Sequence, residues 1–237
     1  MKSLNVLVSP GALIAGTAIT ADESEAHHLR VRRAAAGSTV MLLDGAGAVA
    51  PATMQVDGNT ITMTIGAVRR APPPPMTILA VGAGDKDRFL ALAERCTELG
   101  VTHLIPLRTE RTQAVDTRFR DSMLDKARRR AREACKQCEN PWATVVEDSC
   151  TLAELDGRHA GIRWHVGAVG GARLALQQTD QPVGWIIGPE GGLTDDEHAF
   201  AGRELSATTV SFGQSILRFD TAAVAAAVIT LDRRRAT

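Results

Sequence analysis

Val183-Gly-Trp-Ile-Ile187 is an apolar run that ends abruptly in Gly188-Pro189-Glu190-Gly191-Gly192. About twenty residues on, a second strand candidate, Thr208 to Phe212, is closed by Gly213-Gln214-Ser215-Ile216-Leu217-Arg218. Each run is short enough for a buried strand, and each turn precedes a helical pattern, opened by Thr194-Asp-Asp-Glu197 and by Asp220. The two stretches therefore predict two irregular turns side by side at one edge of a sheet. In open α/β sheets that edge is where ligands bind.

Working outward, strands alternate with helices from residue 77 onward. Strands are expected at Thr77–Val81, His103–Leu107, Ala143–Val146, Ile162–Val166, Val183–Ile187 and Thr208–Phe212. Helices are expected at Asp85–Leu99, Phe119–Cys138 and Asp220–Arg235. This alternation predicts a mostly parallel, doubly wound sheet. The alanine-rich last helix is expected to pack closely against a neighbour. Before residue 70 the chain reads as mainly β, with a hairpin at Asp57-Gly58-Asn59 and one helix that Asp22 and Glu25 open as a capping box. Pro72 to Pro75 form a stiff connector, since proline has no amide hydrogen for a ladder and fits poorly in a helix. Two domains follow, 1–71 and 76–237.

Composition narrows the function classes. Lysine and arginine total 27, as do aspartate and glutamate, so no net charge announces a polyanion partner and local distribution must carry any such role. Arg128, Arg129, Arg130, Arg132 and Lys136 cluster on one helix, but span too many turns to share a face. His28, Arg30, Arg32 and Arg33 lie on the N-terminal helix, read either as a solvated face or as a phosphate-contacting one. Arg108 and Arg111 are further basic candidates. No run approaches the roughly 18 apolar residues of a membrane span, and no signal peptide is visible, so a cytoplasmic protein is expected. Cys135-Lys-Gln-Cys138 is a lone pair without a second pair at zinc spacing; no metal site is expected. Phosphate-loop, dinucleotide and nucleophile-elbow motifs are absent, Gly82-Ala83-Gly84 being only a partial match to the second.

The glycine-rich turns suit a different ligand. Three glycines and a stiffening proline present backbone amides and carbonyls, the groups that recognise the edge of a heteroaromatic such as adenine. Thr194 and Glu197 form a capping box, leaving that helix N-terminus less available to an anion. Arg218 either pairs with Asp220 or Glu190 or holds an electron-rich substrate edge.

Ile187-Gly-Pro-Glu-Gly-Gly-Leu193 and Ile216-Leu-Arg-Phe-Asp-Thr-Ala-Ala223 together resemble the paired signature of the SPOUT-class RNA methyltransferases, and most closely the RsmE family, which methylates N3 of a uridine in small-subunit (16S) ribosomal RNA. His27-His-Leu-Arg-Val-Arg32, Asp44-Gly45, Lys86, Cys96-Thr-Glu-Leu-Gly-Val101 and Pro106-Leu-Arg-Thr-Glu-Arg111 carry the resemblance through most of the chain. The sequence departs from the pattern at Leu193, Ser215, Asp220 and Cys135–Asn140.

The resemblance implies a PUA-like β-barrel followed by a SPOUT α/β domain with a C-terminal trefoil knot, and a homodimer. It implies an S-adenosylmethionine site formed by Val166, Gly167, Ile187, Gly188, Pro189, Glu190, Gly191, Gly213, Ile216, Leu217 and Arg218. Arg218 is the expected stabiliser of charge on the uracil carbonyl, and Glu190 or Asp220 the expected proton acceptor. His28, Arg30, Arg32, Arg33, Arg108, Arg111, Arg129 and Arg132 are the candidate RNA contacts. The alternatives are a SPOUT enzyme acting on another RNA or on a ribose hydroxyl, and a non-catalytic ribosome-assembly protein.

Overall fold

The computed structural model describes residues 4–82, 84–115, 120–172 and 180–232. The chain divides into two compact units. One comprises Met1–Pro73 with Arg132–Ala143, the other Pro74–Ala131 with Thr144–Thr237.

The first unit holds β1 (Asn5–Leu7), β2 (Ala18–Thr20), α1 (Glu23–Val31), β3 (Thr39–Leu43), β4 (Ala48–Asp57), β5 (Thr60–Ile65) and β6 (Arg69–Arg70). The sheet order is β1-β3-β4-β5-β2, with β6 on β4, and only β1 and β3 run parallel. Among the described residues no pair joins β1 to β2, so the sheet is an open path. The predicted hairpin joins β4 to β5 through Gly58 and Asn59, with Asp57 opposite Thr60. Alternate residues of these strands, including Val40, Leu42, Met54 and Met63, bury against Leu29 of α1, which is the period-2 pattern of a sheet with one face covered. β2 and β6 lack a strand pattern in the sequence, being only three and two residues long.

Two expectations change here. Asp22 does cap α1, accepting from the Glu25 amide at 2.8 Å, but the return half of the capping box does not form. Glu25 is buried, and its carboxylate takes the Lys136 ammonium at 2.7 Å instead. Arg132–Ala143, placed with the second domain by the sequence, clusters with the first unit. Its polar groups explain why: Arg132 donates to the Val8 carbonyl at 2.9 Å, and Trp142 donates its indole N–H to Pro72 O at 3.1 Å.

The second unit holds β7 (Thr77–Val81), α2 (Lys86–Leu99), β8 (His103–Pro106), a 3-10 segment (Glu110–Val115), α3 (Asp121–Cys138, whose end belongs to the first unit), β9 (Val145–Val146), α4 (Leu152–Arg158), β10 (Arg163–Ala172), β11 (Val183–Ile187), α5 (Asp195–Glu204), β12 (Thr208–Val210) and α6 (Phe219–Asp232). The six strands are all parallel, in the order β12-β10-β11-β7-β8-β9. Parallel strands need covered faces. Phe89 and Leu92 of α2 and Ala223 and Ala227 of α6 bury against Leu79 and Trp185 in one cluster; Leu155 of α4 and Ala201 of α5 bury with Ile78 and Ile186 in another. The small side chains of α6 serve its contact with α2, as its composition predicted. Asp85 caps α2, and Gly100 ends it at φ 82°, the left-handed conformation a helix stop favours. Arg233 to Arg235, expected to finish the last helix, lie outside the described residues.

β10 outruns its expected end at Val166. Gly167 and Ala172 both sit opposite Val210 of β12, so residues 168–171 arch out of the ladder between them. The sheet order places the C-terminal ends of β12, β10 and β11 next to one another. Three loops therefore meet at one edge: the arch, Gly188–Leu193 and Ser211–Arg218.

Candidate functional site

These three loops enclose a cavity of about 280 Å³. Gly167, Ala168 and Val169 line it from the arch; Gly188, Pro189, Glu190, Gly192 and Leu193 from the second loop; Ser211, Phe212, Gly213, Ser215, Ile216 and Leu217 from the third. Ile187, Phe219 and Ala222 close its floor, and His198 of α5 adds an imidazole.

Local sequence explains the shape. Gly192 has φ 73°, and its amide donates to Pro189 O at 2.8 Å, so the second loop closes on itself as a tight turn. A Cβ on Gly167 would stand 2.8 Å from both Ile187 Cδ1 and Phe212 Cε2. Glycine there lets the Ile187 and Phe212 side chains, both part of the cavity wall, pack directly on the β10 backbone. The partial dinucleotide motif finds its use here as well: a Cβ on Gly82 would meet Pro189 Cδ at 2.7 Å, and one on Gly84 would meet a Glu190 carboxylate oxygen at 2.7 Å. These glycines let the second loop lie against the end of β7. Thr194 and Glu197 form the predicted capping box at the start of α5.

Of the expected cofactor residues, Gly167, Ile187, Gly188, Pro189, Glu190, Gly213, Ile216 and Leu217 line the cavity. Val166 is buried one residue before it. Gly191 faces Arg111 on the outside of its turn. Arg218 is exposed, between cavity residues Leu217 and Phe219, and meets no acidic partner among the described residues. The pairing considered for it with Asp220 or Glu190 is not made.

Asp220 belongs elsewhere. It is 7% exposed, and its carboxylate lies 3.5 Å from Arg95 and 3.8 Å from Arg88 of α2. Facing α2, it lines no part of the cavity. Glu190 is the one expected proton acceptor that does. The sequence missed His198, Ala168, Val169, Phe212 and Phe219. No motif marks the arch, because Gly167 breaks the strand candidate Ile162–Val166 and the strand pattern ends there. His198 reads as an ordinary first-turn position of a capped helix.

The expected RNA contacts divide in two. Arg108 donates to Glu154 at 2.8 Å, Arg132 donates to backbone carbonyls of the first unit, Arg30 donates to Asn59 O, and Arg111 donates to Gly191 O. Arg32, Arg33 and Arg129 are exposed and make no ion pair among the described residues, while His28 is half-buried. In the basic run of α3, Arg128 pairs with Asp125 and Asp148, and Arg130 with Glu94. Burial pushes the Cys135 thiol up to about 12 and the Cys150 thiol up to about 11. Neither is a poised nucleophile, and no group of three metal-ligating side chains forms among the described residues.

Comparison with known proteins agrees with this architecture. Residues 72–231 match the family model described as an RNA methyltransferase domain. Over 236 aligned residues the chain is 30% identical to a ribosomal RNA small subunit methyltransferase E from Synechocystis, covering 94% of this chain and 75% of that protein. A Rickettsia conorii protein of the same name is 25% identical over 174 residues, covering 71% of this chain and 69% of that protein. Among solved structures, a ribosomal RNA small subunit methyltransferase E from Neisseria gonorrhoeae, bound to S-adenosyl methionine, superposes with a TM-score of 0.81 at 23% identity, covering 95% of both chains. A predicted RNA methyltransferase from Thermotoga maritima superposes with a TM-score of 0.70 at 28% identity, covering 96% of this chain and 97% of that one. The chain belongs to the RNA methyltransferase domain family that includes the ribosomal RNA small subunit methyltransferases E.

Proposed function

We propose that this protein transfers a methyl group from S-adenosylmethionine to N3 of a uridine in small-subunit (16S) ribosomal RNA. The observation that carries the reading is the cavity. Glycine-rich backbone lines it where three parallel strands end, and a free arginine stands at its rim. Backbone amides and carbonyls suit the edge of an adenosine, and a side chain at Gly167 would displace the Ile187 and Phe212 walls. S-adenosylmethionine supplies an activated methyl group on a sulfonium sulfur, so the protein's own share is positioning and charge stabilisation.

Uridine N3 carries a proton at neutral pH, and that proton must leave as the new bond forms. The Arg218 guanidinium stabilises the charge that spreads onto a uracil carbonyl oxygen. Glu190, at the cavity, accepts the proton. Arg32, Arg33 and Arg129 contact phosphates, so RNA affinity falls with added salt. The same reading includes a PUA-like RNA-binding domain (1–71), supported by the small sheet packed on α1. It includes a SPOUT domain (76–237) with a C-terminal trefoil knot formed by the Gly188–Gly192 and Gly213–Arg218 loops, a reading supported by the strand order. It also includes a cytoplasmic homodimer, in which a second copy covers Ile216, 83% exposed at the cavity mouth.

Arg218→Ala tests the mechanism. Methyl transfer to small-subunit RNA should fall about a hundredfold, with S-adenosylmethionine and RNA binding retained. Normal turnover in that variant removes Arg218 from the reaction.

A further inference from the structure

Arg111 stands outside the cavity, yet it touches the loop that forms one wall. Its guanidinium donates to Gly191 O and, at 3.4 Å, to Leu193 O. A Cβ on Gly191 would lie 3.2 Å from Arg111 Cδ, so the side chain runs along the back of the turn. Gly188, Pro189, Glu190, Gly192 and Leu193 line the cavity on the other side.

The segment bearing Arg111 is itself held. Thr109 and Thr112 are buried; Thr112 Oγ1 accepts from the Thr109 amide at 2.8 Å, and the Thr112 amide donates to Thr109 O at 2.9 Å. A second tie runs beside the first. The Glu110 amide donates to Glu197 Oε1 at 2.8 Å, while Glu197 Oε2 accepts from the Thr194 amide at 2.8 Å. The carboxylate that caps α5 therefore also anchors the turn at 109–112. Both ends of Gly188–Thr194 are fixed by these ties and by β11.

We infer that Arg111 is a positioning residue for the methyl-donor site: it fastens the Gly188–Leu193 turn from behind and sets the cavity wall before ligand arrives. A glycine-rich turn has many conformations, and ordering it on binding would lower affinity. One guanidinium nitrogen, Nη1, reaches both carbonyls and orders the turn in the free protein. The role differs from the phosphate contact that its sequence position suggests. The inference rests on the S-adenosylmethionine reading of the cavity.

Three variants test it in the full-length protein: Arg111→Ala, Arg111→Lys and Gly191→Ala. S-adenosylmethionine binding is read by calorimetry, and RNA binding as a function of salt. Arg111→Ala should raise the S-adenosylmethionine Kd about tenfold. Arg111→Lys, which keeps a charged donor but not the planar guanidinium, should recover part of that. RNA affinity should keep its salt slope. Gly191→Ala should weaken binding in the parent, where its methyl meets Arg111, and cost less in the Arg111→Ala background. That coupling remains readable if Arg111→Ala also lowers Tm. An S-adenosylmethionine Kd within twofold of the parent overturns the inference, as does a salt slope that drops by about one phosphate contact. If the parent itself fails to bind S-adenosylmethionine, the cavity reading fails first, and the inference with it.

Discussion

Trp185 donates its indole N–H to Thr230 Oγ1 at 2.8 Å, and the same hydroxyl donates to Ala226 O at 2.9 Å. One buried hydroxyl thus ties β11, the strand that delivers Gly188, to α6, the helix that follows Arg218. Thr230→Val keeps the shape and removes the acceptor, leaving the indole N–H unpaired. Stability should fall by about 1–3 kcal/mol. Urea denaturation checks this, and an unchanged midpoint would show that the pair contributes nothing.

Gly167 sets the packing of two cavity walls, Ile187 and Phe212. Gly167→Val places side-chain atoms where Ile187 and Phe212 already lie. S-adenosylmethionine binding should weaken by at least about a hundredfold, of the order expected from overpacking, while the far-ultraviolet circular dichroism keeps its α/β form. Calorimetry on the variant reads the first, and parent-like affinity would place the ligand elsewhere.

Asp220 pairs with α2 and stands apart from the cavity. Its buried carboxylate faces two half-exposed arginines of α2, whose exposure limits the pairing, so Asp220→Ala should cost about 1 kcal/mol. The acid limb of the kcat–pH profile should stay in place. Loss of that limb would return Asp220 to the chemistry.

His103 links stability to pH. Burial lowers its pKa from the ordinary 6.5, and the nearby His159 acts in the same direction against Glu147. The folded state therefore binds fewer protons than the unfolded state just below pH 6.5. Stability from this group is complete above that pH and is lost as pH falls through the folded value. His103→Gln should flatten the slope of stability between pH 6.5 and lower values, measured by denaturation at a series of pH values. An unchanged slope would assign the pH dependence to other groups.

What could be read from the sequence was whatever local chemistry dictates. The β11 run, the Thr194 cap and the close-packing alanines of α6 follow from burial period and backbone rules, and the structure has all of them. The arch at 168–171 was hidden, because pairing that resumes at Ala172 after a four-residue gap has no periodic signature. Glu25 has the spacing of a capping box, and only tertiary contact with Lys136 turns it inward. Arg111 and Asp220 sat in motifs that suggest direct chemistry. Their partners, Gly191 and Arg95, are 80 and 125 residues away, beyond the reach of any local pattern.

The most direct measurement maps base methylation on 16S ribosomal RNA from a strain lacking this protein, with and without the gene restored. The account predicts that one N3-methyluridine disappears, returns with the parent gene and stays absent with Arg218→Ala. An unchanged set of methylated uridines in the deletion strain would contradict it.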